Sequence, residues 1–205
     1  IFGVGDFPGL IQDYLNFTDE GEDVLSDIQM RRDRVRTGDR YIGCHLIADL
    51  DQLPAEVASC RKVTSLSTDS SAVNLSFLNE IGQELDCEHI VNHFILKEPQ
   101  KDIHGELDTR RRQMLSMAGR SVENRMYSEE LNEFLEEAAT EQRHTVRFHI
   151  NVLAGGAADE FEAVKDKVVS AVSRMGVSPV YDIYDVPCQF WASIPGNEAG
   201  LSYQE

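Results

Sequence analysis

The chain has 205 residues, of which 41% are hydrophobic, and this is enough for one large or two small domains with an apolar core. Its 36 Asp and Glu residues against 19 Lys and Arg give a formal net charge of −17, which argues against a general nucleic-acid-binding surface. Four scattered cysteines predict free thiols in a reducing cytoplasm, and the lack of an 18-residue apolar run predicts that the chain does not cross a membrane. Because it starts at Ile1 without a Met or a basic leader, we expect a piece of a longer protein.

The N-terminal part of the chain predicts a helix and then a β-hairpin. Apolar residues at helical spacing indicate a short helix over Leu10–Leu15, followed by an acidic loop at 18–22. Two runs, 28–36 and 41–48, flank the turn-forming Thr37-Gly38-Asp39 and predict the two strands of the hairpin. The first strand then carries arginines at every second position, so that Arg32, Arg34 and Arg36 share one face. This basic face is either solvated surface or a contact with an acidic partner.

The middle of the chain predicts two strands separated by a helical hairpin. Residues 49–85 are interpreted as loop with short elements, and Ile90–Leu96 and Thr145–Leu153 as inner strands. Between these strands, apolar spacing indicates one helix from Ile103 to Val122 and another that begins near Ser128. The first helix contains a second basic spot, which is also a candidate partner contact: Arg110, Arg111 and Arg112.

The C-terminal part predicts a capped helix, a strand and a turn. A helix is expected over Asp159–Met175, with Asp159 and Glu162 as a capping signal and Gly176 at its end. The strand Val180–Tyr184 follows, and the apolar run at 190–194 is interpreted as a strand that enters a Pro-Gly turn.

The order of these elements predicts an α+β protein. We expect a ferredoxin-like antiparallel or mixed sheet with helices on one face, together with the helical hairpin. The alternative, a doubly wound parallel sheet, needs a helical crossover between each strand pair, and the early hairpin offers none. We divide the chain into residues 1–37, with the first helix, connector and first hairpin strand, and an α+β assembly domain over 38–205.

The motifs of nucleotide, metal and covalent chemistry are weak or missing in this chain. A phosphate-binding P-loop needs a Gly-Lys pair, which the sequence lacks, and in the glycine-rich segment 3–9 Pro8 occupies the position of the third glycine of a dinucleotide loop. Cys87, His89 and His93 have no fourth zinc ligand in sight, so these histidines, like His149, are interpreted as solvent-facing strand residues. No nucleophile signature is present either.

One C-terminal segment closely resembles a known family. Phe190-Trp191-Ala192-Ser193-Ile194-Pro195-Gly196-Asn197-Glu198-Ala199 is similar to the Phe-Trp-Ala-Gly-Ile-Pro-Gly-Asn-Glu-Ala stretch of the TraG conjugative-transposon ATPases, with Ser193 in place of a glycine. These proteins are related to the large cytoplasmic ATPase of type IV secretion systems. Further collinear matches extend the resemblance over about residues 38–199: Asp49–Pro54, Leu66–Asp69, Leu75–Phe77, His89–Ile90 and Phe148–Ala154.

The resemblance implies a region that lies upstream of the nucleotide-binding domain of a conjugation ATPase. It implies a P-loop beyond Glu205, with ATP and Mg²⁺ bound only there, so that this fragment has no cofactor and is not itself an enzyme. The whole protein is then expected to be an oligomeric motor of conjugative DNA transfer, cytoplasmic and peripheral at the inner face of the inner membrane. Its expected partners are inner-membrane channel components and other copies of itself.

Two other classes of function stay open at this point. The chain is alternatively a small enzyme of unknown chemistry that uses His89 and the acidic surfaces, or a regulatory ligand-binding module, since ferredoxin-like folds host many such sites. The missing nucleophile motif favours the assembly domain over the enzyme.

Overall fold

A computed structural model describes most of the chain. The described residues are 7–18, 24–47, 78–82, 85–141, 144–198 and 201, with short pieces at 52–53, 61–62, 68 and 74–75. Most of the predicted acidic loop at 18–22, most of 49–85 and Cys60 lie outside the described residues, as do the matching segments 49–51 and 66–67.

The described residues form six helices and eight strands. The helices are α1 (Phe7–Asn16), α2 (Asn79–Gly82), α3 (Gln100–Met117), α4 (Val122–Glu141), α5 (Phe161–Arg174) and α6 (Val186–Ala192). The strands are β1 (Ile28–Arg31), β2 (Arg34–Thr37), β3 (Arg40–Leu46), β4 (Arg61–Lys62), β5 (Asn74–Leu75), β6 (Glu88–Leu96), β7 (Arg147–Ala157) and β8 (Val180–Tyr181). None of the described helices has the length and apolar character needed to cross a membrane.

Six of the strands build one antiparallel sheet. Its order is β1-β2-β3-β7-β6, and β8 pairs with the end of β3, where His45 lies opposite Tyr181. The order β8-β3-β7-β6, with α5 between β7 and β8, is that of a ferredoxin-like fold. The α+β prediction is therefore confirmed, and the strands predicted at 90–96 and 145–153 are its β6 and β7. Strand β7 is an inner strand as predicted, whereas β6 is the last strand of the described sheet, so its prediction as an inner strand is wrong.

The predicted first strand, 28–36, is wrong in one respect, because it is itself a hairpin. Arg31 pairs with Arg34, so Arg32 and Asp33 form the turn between β1 and β2. The second turn is at the predicted place, with Gly38 at φ 57°, a conformation that glycine adopts without steric cost. Since β2 pairs with β3, the boundary that we drew between residues 37 and 38 lies within a β-hairpin.

Helices pack on both faces of the sheet, so the prediction of helices on one face is wrong in this respect. Ile42, Cys44 and Leu153 face α6 and the end of α1, where they form a buried core with Phe17 and Phe190. On the opposite face, a Cβ atom added to Gly43 would meet the rings of Phe161 and Tyr181 at 3.2 Å or less, and one added to Gly156 would meet Val164. Alternation along β3 and β7 therefore gives each face its own helix layer.

The helix assignments differ from the prediction in several places, and the first helix of the hairpin ends at Met117 and not at Val122. The second helix of the hairpin begins at Val122, where the Ser121 hydroxyl accepts a hydrogen bond from the Asn124 amide at 3.3 Å. The fifth helix begins at Phe161 without a side-chain cap, so the Asp159–Glu162 capping signal is not used. The apolar run after Asp185 is a helix, α6, with Pro187 in its first turn, and it is not a strand.

The chain divides into two compact units. The first contains residues up to 93 and residues 149–202, and therefore most of the sheet with α1, α2, α5 and α6. The second is built on residues 94–148, in which α3 and α4 pack against each other as the predicted helical hairpin.

Candidate functional site

The strongest local concentration of positive charge in the sheet lies on one face of the β1–β2–β3 ribbon. Gln29, Arg36 and Tyr41 are opposite one another across the three strands, and Arg31 is opposite Arg34. Directly paired residues point to the same side of a sheet, and so do residues two apart on one strand. We call this set the ribbon face: Gln29, Arg31, Arg34, Arg36 and Tyr41, which together line a small cavity of about 60 Å³.

The ribbon face is ordered by stacking rather than by acidic partners. The guanidinium carbons of Arg34 and Arg36 lie 5.1 and 6.0 Å from the centroid of the Tyr41 ring, within the range of cation–π interactions. The Arg36 Nε also donates to the Gly38 carbonyl at 2.8 Å. Asp33 lies 3.8 Å from the Arg34 Nε, and within the described part of the chain neither Arg31 nor Arg36 has a carboxylate partner. Their charge is therefore open to a binding partner.

The turn of the ribbon is fixed by the elements behind it. The Tyr181 hydroxyl donates to the Asp33 carbonyl at 2.7 Å, and the Val186 amide donates to the Arg32 carbonyl at 3.1 Å. Burial and the nearby Asp33 charge raise the pKa of Tyr181 to about 12, so the hydroxyl keeps its proton and stays a donor at neutral pH. Two hydrogen bonds from β8 and α6 thus hold a turn that has no glycine.

The structure brings only some of the predicted site residues together. The structure brings Arg34 and Arg36 together on the ribbon face, but it places Arg32 in the turn and brings in Arg31 and Gln29, which the sequence reading missed. The register of the β1–β2 hairpin decides which arginines share a face. The turn at Arg32-Asp33 lacks the Asn-Gly or Asp-Gly pair that predicts a tight turn, so the sequence does not indicate where this hairpin turns.

The second basic spot lies on α3, in the other compact unit. Arg111 donates to Asp108 from Nε and Nη2 at 3.1 and 2.7 Å, and the Nη2 of Arg112 lies 2.6 Å from the same carboxylate. The hydrogen bond from Arg111, with the charges of both arginines, holds the pKa of Asp108 below its usual value. One carboxylate therefore offsets part of the charge of Arg110–Arg112, and the spot is less open than the ribbon face.

A buried polar network joins β7 to α6 and to β6. The Gln189 Oε1 on α6 lies 2.9 Å from the His149 Nε2 and accepts a hydrogen bond of 2.9 Å from the Asn151 amide nitrogen on β7. Asn92 on β6 donates to the Asn151 Oδ1 at 2.7 Å. His149 was predicted to face solvent, and this is wrong, because β7 is an inner strand that is covered on both faces and leaves His149 6% exposed.

Replacing Gln189 with leucine should lower the free energy of unfolding by about 2 kcal/mol, because buried groups of His149 and Asn151 lose their shared partner. Urea denaturation measures this, and Gln113→Leu on the exposed surface of α3 is the matched control. Equal stability of the two variants would show that the network does not hold α6 on the sheet.

A larger cavity, of about 360 Å³, lies at the other end of β7, and its charges are mostly paired. Arg40 forms an ion pair with Glu88, and Lys167 donates to the Asp86 carbonyl at 2.6 Å. The Cys87 thiol also lines this cavity, and burial raises its pKa, so it is protonated at neutral pH. The Nδ1 of His89 is hydrogen-bonded to the Cys87 carbonyl at 2.8 Å. Across the described ranges, no three His, Cys, Asp or Glu side chains are grouped so that they could hold a metal ion.

Comparison of the chain with models of known protein families and with curated protein sequences finds no match.

Proposed function

We propose that this chain is a non-catalytic, N-terminal-region domain of a conjugation ATPase of a type IV secretion system. It takes part in assembly of the motor and docks it to inner-membrane channel components during conjugative DNA transfer. Hydrolysis of ATP with Mg²⁺ is assigned to the nucleotide-binding domain of the whole protein, which is cytoplasmic and peripheral at the inner face of the inner membrane.

The observation that supports docking is the ribbon face. In a chain of net charge −17, Arg31 and Arg36 are exposed and have no acidic partner within the described residues, and they stand beside the aromatic ring of Tyr41. Arginine and tyrosine are enriched at protein interfaces, because a guanidinium makes two parallel bonds to a carboxylate while its flat surface stacks on a ring. The ribbon face is thus suited to an acidic, partly apolar segment of a protein partner.

The fold also supports a docking role through rigidity. The ribbon turn is held by Tyr181 and Val186, and α6 contacts β1 through a hydrogen bond of 3.2 Å from the Trp191 indole to the Met30 sulfur. A surface whose side chains are already ordered loses less conformational entropy on binding. Trp191 belongs to the segment that resembles the TraG family, and α6 supports the ribbon from the side opposite to the ribbon face.

Reversing the two unpaired charges should separate docking from ATP hydrolysis. In the full-length ATPase, Arg31→Glu/Arg36→Glu is expected to lower conjugation frequency at least about tenfold, since each like-charge contact at an interface opposes association, while the ATPase rate stays unchanged. Conjugation frequency, protein abundance and ATP hydrolysis are measured on the same strains.

Lys97→Glu/Lys101→Glu is the matched control, because it changes net charge equally at exposed positions outside the ribbon face. If the ribbon variant shows normal DNA transfer at normal abundance, these arginines are solvated surface and not a docking contact. A parallel loss of ATPase activity, or equal loss in the control, would contradict the division between docking and hydrolysis.

The regulatory alternative has its best support in the 360 Å³ cavity. With Arg40 and Lys167 engaged by Glu88 and Asp86, the remaining charged lining is Asp39 and Glu160, which would favour a cationic ligand over an anionic one. Native mass spectrometry of the purified chain tests this alternative, and a stoichiometric small molecule would favour it over docking.

A further inference from the structure

The end of the α3–α4 hairpin has a charge opposite to that of the chain as a whole. We call residues 110–126 the hairpin tip; they comprise the last turns of α3, the connection and the first turn of α4. The chain carries a net charge of −17, but the hairpin tip contains five arginines and a single acidic residue, Glu123. The arginines are Arg110, Arg111, Arg112, Arg120 and Arg125.

Large apolar side chains are exposed at the hairpin tip. Leu115, Met117, Val122 and Met126 are 55%, 44%, 60% and 52% exposed, and all lie within about two helical turns of the connection. Elsewhere in the same hairpin the apolar residues Ile103 and Ala138 are buried. Four of the exposed large apolar residues of the hairpin therefore lie at its end, while Tyr127 and Phe134 further along α4 are also exposed.

Part of the positive charge at the hairpin tip is available. Arg111 and Arg112 share Asp108, whereas Arg120 and Arg125 have no acidic partner in the part of the chain that the structure describes. Glu123 accepts a 2.5 Å hydrogen bond from the Ser121 hydroxyl, which lowers the pKa of Glu123 and keeps it ionised. One fixed negative charge thus stands among several positive ones.

The shape of this surface selects the class of partner. The end of two packed helices, each about 10 Å across, offers a few hundred Å², well below the roughly 800 Å² per partner that a stable protein interface needs. Nucleic acid would use the arginines but gain little from exposed Leu, Met and Val side chains, because its bases favour stacking on aromatic rings. An anionic lipid surface can use both the arginines and the apolar side chains, since apolar groups enter the acyl boundary while basic groups contact headgroup phosphates.

We propose that the hairpin tip is a membrane contact that inserts into the headgroup region of an anionic bilayer. Leu115, Met117, Val122 and Met126 enter the interface, and Arg120 and Arg125, with Arg112 behind them, bind lipid phosphates. This inference rests on the second compact unit alone and does not depend on the ribbon face or on the proposed function.

Sedimentation with vesicles tests the hairpin tip. The 205-residue chain is expected to bind vesicles of phosphatidylcholine with about a quarter phosphatidylglycerol at about 0.1 M salt, and to bind pure phosphatidylcholine at least about tenfold more weakly. Arg120→Glu/Arg125→Glu and, separately, Leu115→Ser/Met126→Ser should each lower the partition coefficient into anionic vesicles about tenfold or more. Inorganic phosphate at millimolar concentration should not compete, because a free ion lacks the apolar interface.

Lys97→Glu/Lys101→Glu, which makes the same change in net charge near the other end of the hairpin, should bind as the unchanged chain does. Circular dichroism shows whether the variants keep their helices, and Arg120→Gln/Arg125→Gln replaces the glutamate variant if they do not. Failure of the unchanged chain to bind anionic vesicles overturns the proposal, as does equal loss in the control. Binding to duplex DNA without binding to vesicles would also overturn it.

Discussion

Replacing Val168 with aspartate is expected to lower the free energy of unfolding by about 3 kcal/mol or more, and so to unfold much of the protein at 37 °C. Val168 is 0% exposed and lies in the middle of the apolar stripe of α5, between Val164 and Val172, which packs on the sheet. A carboxylate placed there loses its water, and the apolar lining of this stripe offers it no cationic partner.

The next residue is the control for this substitution. Val169 is 40% exposed and lies about 100° further around the same helix, so Val169→Asp makes the same chemical change in contact with water. Urea denaturation of both variants should show a large loss for position 168 and a change of at most about 0.5 kcal/mol for position 169. Similar losses at both positions would mean that the helix face is assigned wrongly.

Stability is expected to fall between pH 6.5 and pH 4 because of His45. This side chain is 1% exposed on β3, its ring packs edge-on against Tyr181 at 5.1 Å, and neither ring nitrogen has a hydrogen-bond partner in the described structure. Burial, together with the positive charge of Lys165, lowers the pKa of His45 from 6.5 to about 4. The Lys165 Nζ lies 4.4 Å from the same Tyr181 ring, on the face covered by α5.

The sign of this dependence follows from which state binds the proton. Below pH 6.5 the unfolded chain takes up a proton on His45 while the folded protein resists it, so the free energy of unfolding falls as the pH falls. The loss ends near pH 4, where the folded state also binds the proton, and amounts to about 3 kcal/mol in total.

The variant His45→Phe distinguishes the effect of His45 on stability from the effect of the carboxylates. It keeps an aromatic ring but cannot titrate, so its free energy of unfolding should be about 3 kcal/mol less sensitive to pH between 6.5 and 4. Stability measured by urea denaturation at several pH values gives both slopes. An unchanged slope in the variant would show that other groups cause the acid sensitivity.

The sheet and the long helices could be predicted because their periodicity is strong. The alternation at 145–153 identified β7, and the stripe Phe161, Val164, Val168, Val172 identified α5. The apolar run of α6 was assigned to a strand because a short run does not distinguish the two states by its period. Pro187 and the preceding Asp185 were the available signals of a helix start.

The candidate site could be predicted only in part, because it depends on pairing. The spacing of Arg34 and Arg36 was enough to place them on one face, but the position of Arg31 beside them follows from a register that a non-glycine turn sets. The prediction that His149 faces solvent is wrong for a similar reason. Alternation along β7 predicts that its side chains point to two faces, but it does not indicate that α6 covers the face that carries His149. The partners of an inner strand are tertiary information.

The α3–α4 hairpin occupies the connection between β6 and β7, two strands that lie side by side in the sheet. Neighbouring antiparallel strands need no more than a tight turn, and the entropic cost of a longer connection rises by only about 0.6 kcal/mol for each doubling of its length. The hairpin can therefore be lengthened, shortened or exchanged without changing the order of the strands. Sequence changes in this connection can therefore alter the surface that the domain presents to binding partners while its hydrophobic core stays intact.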